Sequence, residues 1–223
     1  MPDLAIILDL DGTFADTAPD LISVANELLA AMGAGPVDPH NGRIAAGQGA
    51  RRIIETALQE QGRPLPQESQ WPDIIARFIA SYESRICRHT RLFDGMADFL
   101  HRCEQDGIPL GICTNKKDFL AEALLKALQT RHYFKSVVGA NTLGRGKPDP
   151  APLLHCILQC GGTPQRAILI GDSMADVLAA RAANVPCALA AWGYLDRPAS
   201  LYQADYVLKT PANIHSLIAQ TAI

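Results

Sequence analysis

The chain has 223 residues, 48% apolar and 19% charged, with 20 Lys and Arg against 23 Asp and Glu, a net charge of −3. That length is about one and a half average domains. The apolar fraction is too high for a disordered chain, and the near-neutral balance excludes a large basic surface, so nucleic acid is not an expected partner. The opening Met1-Pro2-Asp3-Leu4-Ala5 lacks the cationic segment of a secretory signal, and no apolar run reaches the ~18 residues of a membrane span. Six cysteines (Cys87, Cys103, Cys113, Cys156, Cys160 and Cys187) show no CxxC spacing; Cys156 and Cys160 share a helical face but lack a second pair at ligand spacing. They read as reduced packing residues of a cytoplasmic protein.

In chain order, short β-rich runs alternate with helical periodicities, the pattern of an α/β parallel sheet. Strands are predicted at Leu4–Asp9, Pro109–Cys113, Ser136–Val138, Ala167–Ile170, Cys187–Ala191 and Tyr206–Leu208. The first and fourth are nearly unbroken apolar runs, as in strands covered on both faces. Residues 17–91 break the alternation. There Leu21, Val24, Ala25, Leu28, Leu29 and Met32 keep i, i+3, i+4, i+7 spacing between a Thr17/Pro19 start and Gly33. Ile53, Ile54, Ala57 and Leu58 form a second stripe, and Ile74, Ile75, Phe78, Ile79, Tyr82 and Ile86 a third. We therefore expect residues 17–91 to form an inserted all-helical domain, and 1–16 with 92–223 to form the core, whose helices cover Met96–Asp106, Phe119–Leu128, Pro152–Cys160 and Met174–Ala183.

Four motifs carry chemistry. Leu8-Asp9-Leu10-Asp11-Gly12-Thr13 sets two carboxylates two residues apart at the end of a buried strand, where a carboxylate is costly unless paired or bound to a metal. Gly12 allows the backbone to turn its amides toward an anion. Taken alone, the motif also fits a solvated acidic turn. Gly171-Asp172-Ser173-Met174-Ala175-Asp176 again follows an apolar strand; Asp176 suits equally a site carboxylate or a helix start. Cys113-Thr114-Asn115 offers a hydroxyl and an amide, which also serve as helix caps. Gly144-Arg145-Gly146-Lys147-Pro148-Asp149-Pro150 is not a Walker loop, since Pro148 stands where Ser or Thr is needed; Lys147 reads as a fixed cation or as a surface lysine. Three of these motifs follow predicted parallel strands at their carboxyl ends, where such sheets bind ligands, and the Lys147 loop can lie over the same crevice. Carboxylates there call for a hard divalent cation, and Mg²⁺ fits, with the lysine and hydroxyl suited to phosphate oxygens.

Together the four motifs, in this order, resemble those of the haloacid dehalogenase superfamily of phosphohydrolases, with residues 17–91 where that family carries a helical C1 cap. Within it, DLDGTxxDTAPDL, Gly47-Gln48-Gly49-Ala50-Arg51 and Trp192-Gly193-Tyr194 resemble bacterial phosphoglycolate phosphatases. Leu92-Phe93-Asp94-Gly95-Met96 and the same Trp192 stretch also resemble N-acetylmuramate 6-phosphate phosphatases. The resemblance implies a Rossmann-like core and an Asp9 nucleophile, a choice over Asp11 that residue physics does not make. It implies that Asp11 acts as acid and then base, with Mg²⁺ on Asp9, Asp172 and the Asp11 carbonyl. Thr114, Lys147, Asn115, Gly12, Thr13 and the amides of Leu10–Gly12 are expected to hold the phosphate, with Asp176 and Ser173 behind the metal. Gln48 and Arg51 would meet the rest of the substrate, although Arg51 equally suits a solvated helix position. Asp11 argues against a dehalogenase, and the absence of lysine from residues 15–90 against Schiff-base phosphonate hydrolysis. A sugar-phosphate phosphatase and a hexose-phosphate mutase remain alternatives. A phosphoreceiver would be about half as long without the insertion, and a binding protein would not keep every catalytic position. The expected partner is a small phosphate ester, with no membrane or nucleic acid, for a monomer or a homodimer.

Overall fold

A computed structural model describes residues 4–221; Met1-Pro2-Asp3, on which the reading of the chain's opening partly rests, lies outside them. The described chain divides into two compact units, one made of the residues up to Asp16 and from Leu92 onward, the other of Thr17–Arg91.

The first unit is built on six parallel strands. They are β1 (Ala5–Leu8), β4 (Leu110–Cys113), β5 (Phe134–Val138), β6 (Ala167–Gly171), β7 (Cys187–Ala190) and β8 (Tyr206–Leu208), in the spatial order β5-β4-β1-β6-β7-β8. Two short strands, β2 (Ala15–Asp16) and β3 (Arg91–Leu92), mark where the chain leaves and re-enters this unit. β1, β4 and β6 are wholly buried, as unbroken apolar runs at the centre of a doubly covered sheet must be. β5 starts two residues before the predicted Ser136. Phe134 is drawn into the sheet because its ring packs edge-to-face on Phe14, centroids 5.2 Å apart.

Helices α5 (Met96–Gln105), α6 (Asp118–Ala127), α7 (Ala151–Gln159), α8 (Met174–Ala183) and α9 (Asn213–Thr221) accompany the strands. Leu153, Cys156 and Ile157 of α7 and Val177 and Ala180 of α8 pack with Ile7, Leu169 and Leu189 in one core. The stripe Met96, Phe99, Leu100 and Cys103 is buried, as the periodicity of α5 predicts. This is a Rossmann-like α/β core carrying an inserted helical cap. Because the chain runs outward from β1 to β4 and β5 and then returns to β6 beside β1, the strand order reverses at β1, where crevices open in such sheets.

The Thr17–Arg91 unit contains α1 (Ala18–Ala31), α2 (Pro39–Ala46), α3 (Ala50–Glu60) and α4 (Trp71–Glu83). α1 buries Leu21, Val24, Ala25, Leu28 and Leu29, and α3 buries its whole predicted stripe, whereas α4 buries Phe78 and Tyr82 and leaves Ile74, Ile75 and Ile79 half-buried; Met32 and Ile86 lie just beyond the ends of α1 and α4. Asp20, in the first turn of α1, is buried. Its carboxylate accepts the amides of His89 and Thr90 (2.9 Å each at the shortest) and the Thr90 hydroxyl at 2.8 Å. The start of α1 and the end of the unit are thereby fastened together. Among the described residues no helix is long and apolar enough to cross a membrane.

Candidate active site

Adjacent parallel strands end in register, with Leu8 of β1 beside Ile112 of β4 and Ile170 of β6. The residues that follow therefore emerge side by side: Asp9 and Asp11 after β1, Thr114 after β4 and Asp172 after β6. Burial of the strands carries the first carboxylates inward with them. Asp9, Asp172 and Asp176 are all buried and offer oxygens within 4.8 Å of one another.

One buried cation faces these three anions. Lys147 Nζ lies 2.6 Å from Asp176 Oδ1 and 3.0 Å from Asp9 Oδ1, and donates to the Cys113 carbonyl at 2.7 Å. Burial works to lower the Lys147 pKa, but Asp176 and Asp9 outweigh it and hold the ammonium well above its ordinary value. The surface-lysine alternative is excluded by this position. Burial pushes Asp9 up to about 6 even though Lys147 pulls the other way. Asp172 is pushed further, to about 8, by burial first and then by the charges of Asp9 and Asp176.

Each carboxylate has a distinct set of partners. Asp9 Oδ1 takes the Leu10 amide (2.7 Å) as well as Lys147, while Oδ2 accepts no hydrogen bond among the described residues. Asp172 Oδ1 accepts the Thr13 hydroxyl at 2.9 Å and Oδ2 the Tyr194 amide at 2.6 Å. Asp176 divides its oxygens: Oδ1 meets Lys147, and Oδ2 accepts the amide (3.0 Å) and hydroxyl (2.5 Å) of Ser173. Ser173 in turn caps α8, so both readings of Asp176, site carboxylate and helix start, are realised in one residue.

Glycines make room for this packing. Gly12 has φ +85°, and a Cβ there would sit 2.2 Å from Asp172 Oδ2; one on Gly193 would sit 2.3 Å from the Asp172 Cβ. Trp192 donates its indole N–H to the Thr13 carbonyl (3.0 Å), and Tyr194 donates its hydroxyl to Asp16 (2.8 Å). The Trp-Gly-Tyr stretch thus braces the turn after β1 from the β7 side.

Asp11 stands apart from the acidic triad, its two oxygens each 2.8 Å from Lys116 Nζ. Sequence reasoning missed Lys116; the available signal was a lysine two places after Thr114, in the loop that follows β4, the strand next to β1. Thr114 is buried, and its hydroxyl accepts the Lys116 amide at 3.2 Å. Asn115 gives its side-chain N–H to the Lys147 carbonyl (2.8 Å), tying the β4 loop to the lysine loop. In the Thr17–Arg91 unit, Gln48 is exposed in the turn before α3. Arg51 is held by Glu55 (2.7 Å) and Glu68 (2.6 Å) and lies over the Trp71 ring at 4.5 Å.

The donor set suits a metal of the hard, oxygen-seeking kind. When all three are ionised, three carboxylates against one ammonium leave two uncompensated negative charges in a buried space, and Asp9 Oδ2 is unclaimed. Asp9 offers an open oxygen to such an ion, and each Asp172 oxygen, accepting one hydrogen bond, keeps a further lone pair, whereas Asp176 is held on both sides by Lys147 and Ser173.

Comparison with known proteins agrees with this geometry. The chain is 38% identical over 203 residues to a phosphoglycolate phosphatase of Caulobacter vibrioides, covering 91% of this chain and 85% of the relative. It is 38% identical over 221 residues to one of Agrobacterium fabrum, covering 97% and 94%. The crystal structure of a predicted phosphoglycolate phosphatase from Haemophilus somnus superposes with a TM-score of 0.87 at 25% identity, over 97% of this chain and 98% of that one. The profile of haloacid dehalogenase-like hydrolases matches residues 6–190. Since that match runs from β1 to the end of β7, through every motif gathered at the carboxyl ends of the strands, the chain belongs to the haloacid dehalogenase-like hydrolase family.

Proposed function

We propose that the protein is a Mg²⁺-dependent phosphomonoester hydrolase that works through an aspartyl-phosphate on Asp9, with phosphoglycolate as its substrate. The observation that carries this reading is the Asp9 carboxylate itself. It is buried, fixed through Oδ1 by Leu10 and Lys147, open at Oδ2, and backed by two further carboxylates. A carboxylate fixed through one oxygen presents the other for in-line attack on phosphorus. The substrate comes from the relatives, which are named phosphoglycolate phosphatases and match the chain along most of its length.

In the first step a bond forms between an Asp9 oxygen and phosphorus while the bond to the leaving oxygen breaks, and Asp11 gives that oxygen a proton. In the second, Asp11 takes a proton from water as the water oxygen bonds to phosphorus, and the Asp9–phosphorus bond breaks to release phosphate. Lys147, the Thr114 hydroxyl and the amides of Leu10–Gly12 would hold the phosphoryl oxygens, with Asn115 fixing the Lys147 loop. Mg²⁺ on Asp9, Asp172 and the Asp11 carbonyl would, when bound, offset the charge between carboxylate and phosphate. Asp176 and Ser173 would position Lys147 and the start of α8. A cytoplasmic setting belongs to the same proposal and is supported by six free cysteines, five of them buried.

The test is Mg²⁺-dependent turnover of phosphoglycolate beside p-nitrophenyl phosphate. Asp9→Asn should lose at least ~10³-fold in kcat on both. Retained activity in that variant removes the nucleophile, and turnover of phosphoglycolate no better than the aryl ester removes the substrate.

A further inference from the structure

We infer that Lys116 determines specificity by binding a negative group carried on the leaving-group side of the substrate, close to the leaving oxygen. The inference rests on the proposed phosphatase chemistry and deepens it.

Lys116 Nζ sits 2.8 Å from both oxygens of Asp11. Its side chain is only 5% exposed and that of Asp11 14%, so the ammonium is not a surface charge that fell on a neighbour. Asp11 is the group that must reach the leaving oxygen, at ordinary hydrogen-bond distance of about 3 Å. The ammonium and the leaving oxygen are thus each one hydrogen bond from the same carboxyl. Whatever is joined to the leaving oxygen through one or two carbon atoms then falls within reach of Lys116, because each added bond extends the group by only about 1.5 Å.

Lys116 is also the right chemistry in the right place. Asp9 and Asp176 already have Lys147, so the phosphate site does not need Lys116 to supply its fixed cation. A neutral leaving group brings nothing to exchange for the Asp11 contact. A carboxylate one carbon from the leaving oxygen does: it can take the ammonium as Asp11 turns to its proton transfer, so one buried cation has an anionic partner in both arrangements. Phosphoglycolate has this layout, with a single methylene between leaving oxygen and carboxylate. The lysine comes from the loop after β4 in the same unit as the nucleophile.

The test compares phosphoglycolate with 2-hydroxyethyl phosphate, which keeps the carbon next to the leaving oxygen and replaces the carboxylate by a hydroxymethyl group. Wild type should prefer phosphoglycolate. Lys116→Met should lower kcat/KM for phosphoglycolate ~10–100-fold more than for the hydroxyethyl ester, most of the difference appearing in KM. In the Asp9→Asn background, equilibrium binding of phosphoglycolate should weaken by a similar factor on adding Lys116→Met. Lys116→Arg should keep most of the preference, and Lys116→Gln serves if the methionine variant does not fold. Equal losses on the two esters would mean that Lys116 acts only through Asp11, and overturn the inference while leaving the phosphatase intact. Absence of any preference in wild type overturns it as well. Phosphatase activity that survives Asp9→Asn would instead remove the underlying reading.

Discussion

The charge balance at single residues decides how the site behaves when no cation is bound. Lys147 is the cation that the buried Asp9 and Asp176 share beside Asp172, so Lys147→Met leaves the cluster uncompensated. We expect a loss of about 3–5 kcal/mol in metal-free protein at pH 8.5, read from urea unfolding with chelator. Asp172→Asn works in the opposite direction. It removes one of the repelling charges and keeps an acceptor oxygen for the Tyr194 amide, with the Thr13 hydroxyl able to accept from the new NH2, so the same measurement should show stability unchanged or raised. If both variants fall together, the site is held by something other than the balance described. The sequence made Asp9, Asp172, Thr114 and Lys147 legible because each stands at a fixed offset from a strand or a proline-flanked turn. The pairing of Lys116 with Asp11 was not legible: it spans 105 residues and depends on β4 lying beside β1. Nor could spacing say that Asp176 gives one oxygen to Lys147 and the other to Ser173.

At the scale of elements, the apolar stripes found α1, α3 and α4, since a buried helix face repeats every third or fourth residue. α2 escaped because Pro39-His40-Asn41-Gly42-Arg43 has almost no such stripe. It is set by Asp38, whose side chain accepts the amides of His40 and Asn41 at 3.0 Å each, and by the proline at its start. Sequence reasoning also left α9 unassigned after β8. Asp20 illustrates how one element is fixed by another within the helical unit. The residue sits in a helix start, where an acidic side chain is ordinary, yet it is buried and takes donors from His89 and Thr90, some 70 residues on. Asp20→Ala would strand two backbone amides and a hydroxyl, for an expected cost of about 2–4 kcal/mol. Asp20→Asn should recover part of it by keeping one acceptor oxygen. Chemical unfolding of the two variants gives the comparison, and equal stability of Asp20→Ala and wild type would mean that water replaces the carboxylate without loss.

For the whole molecule, the net charge of −3 has a location. Setting aside Asp9, Asp11, Asp172, Asp176 and Lys147 leaves nineteen cations and nineteen anions. Asp11 is further matched by Lys116, so two of the excess charges lie on the buried triad facing Lys147. This concentrates the protein's pH dependence at one place. Asp9 and Asp172 rise from an ordinary 3.8 to about 6 and about 8 on folding, so between those limits the folded metal-free protein binds more protons than the unfolded chain. Stability must then fall as pH rises from about 4, the Asp9 share being lost through about 6 and the Asp172 share through about 8. A divalent cation needs the same oxygens deprotonated, so its affinity should rise over the same range. Thermal unfolding with chelator should therefore show a midpoint that declines from pH 6 to pH 8.5, and saturating Mg²⁺ should raise the midpoint more at 8.5 than at 6. In Asp172→Asn the decline should flatten, because the asparagine resembles the protonated acid at every pH. A Mg²⁺ effect larger at pH 6, or a decline unchanged by the substitution, would place the excess charge elsewhere. The reason the two effects must oppose is that proton and metal compete for one set of oxygens that the fold has already buried.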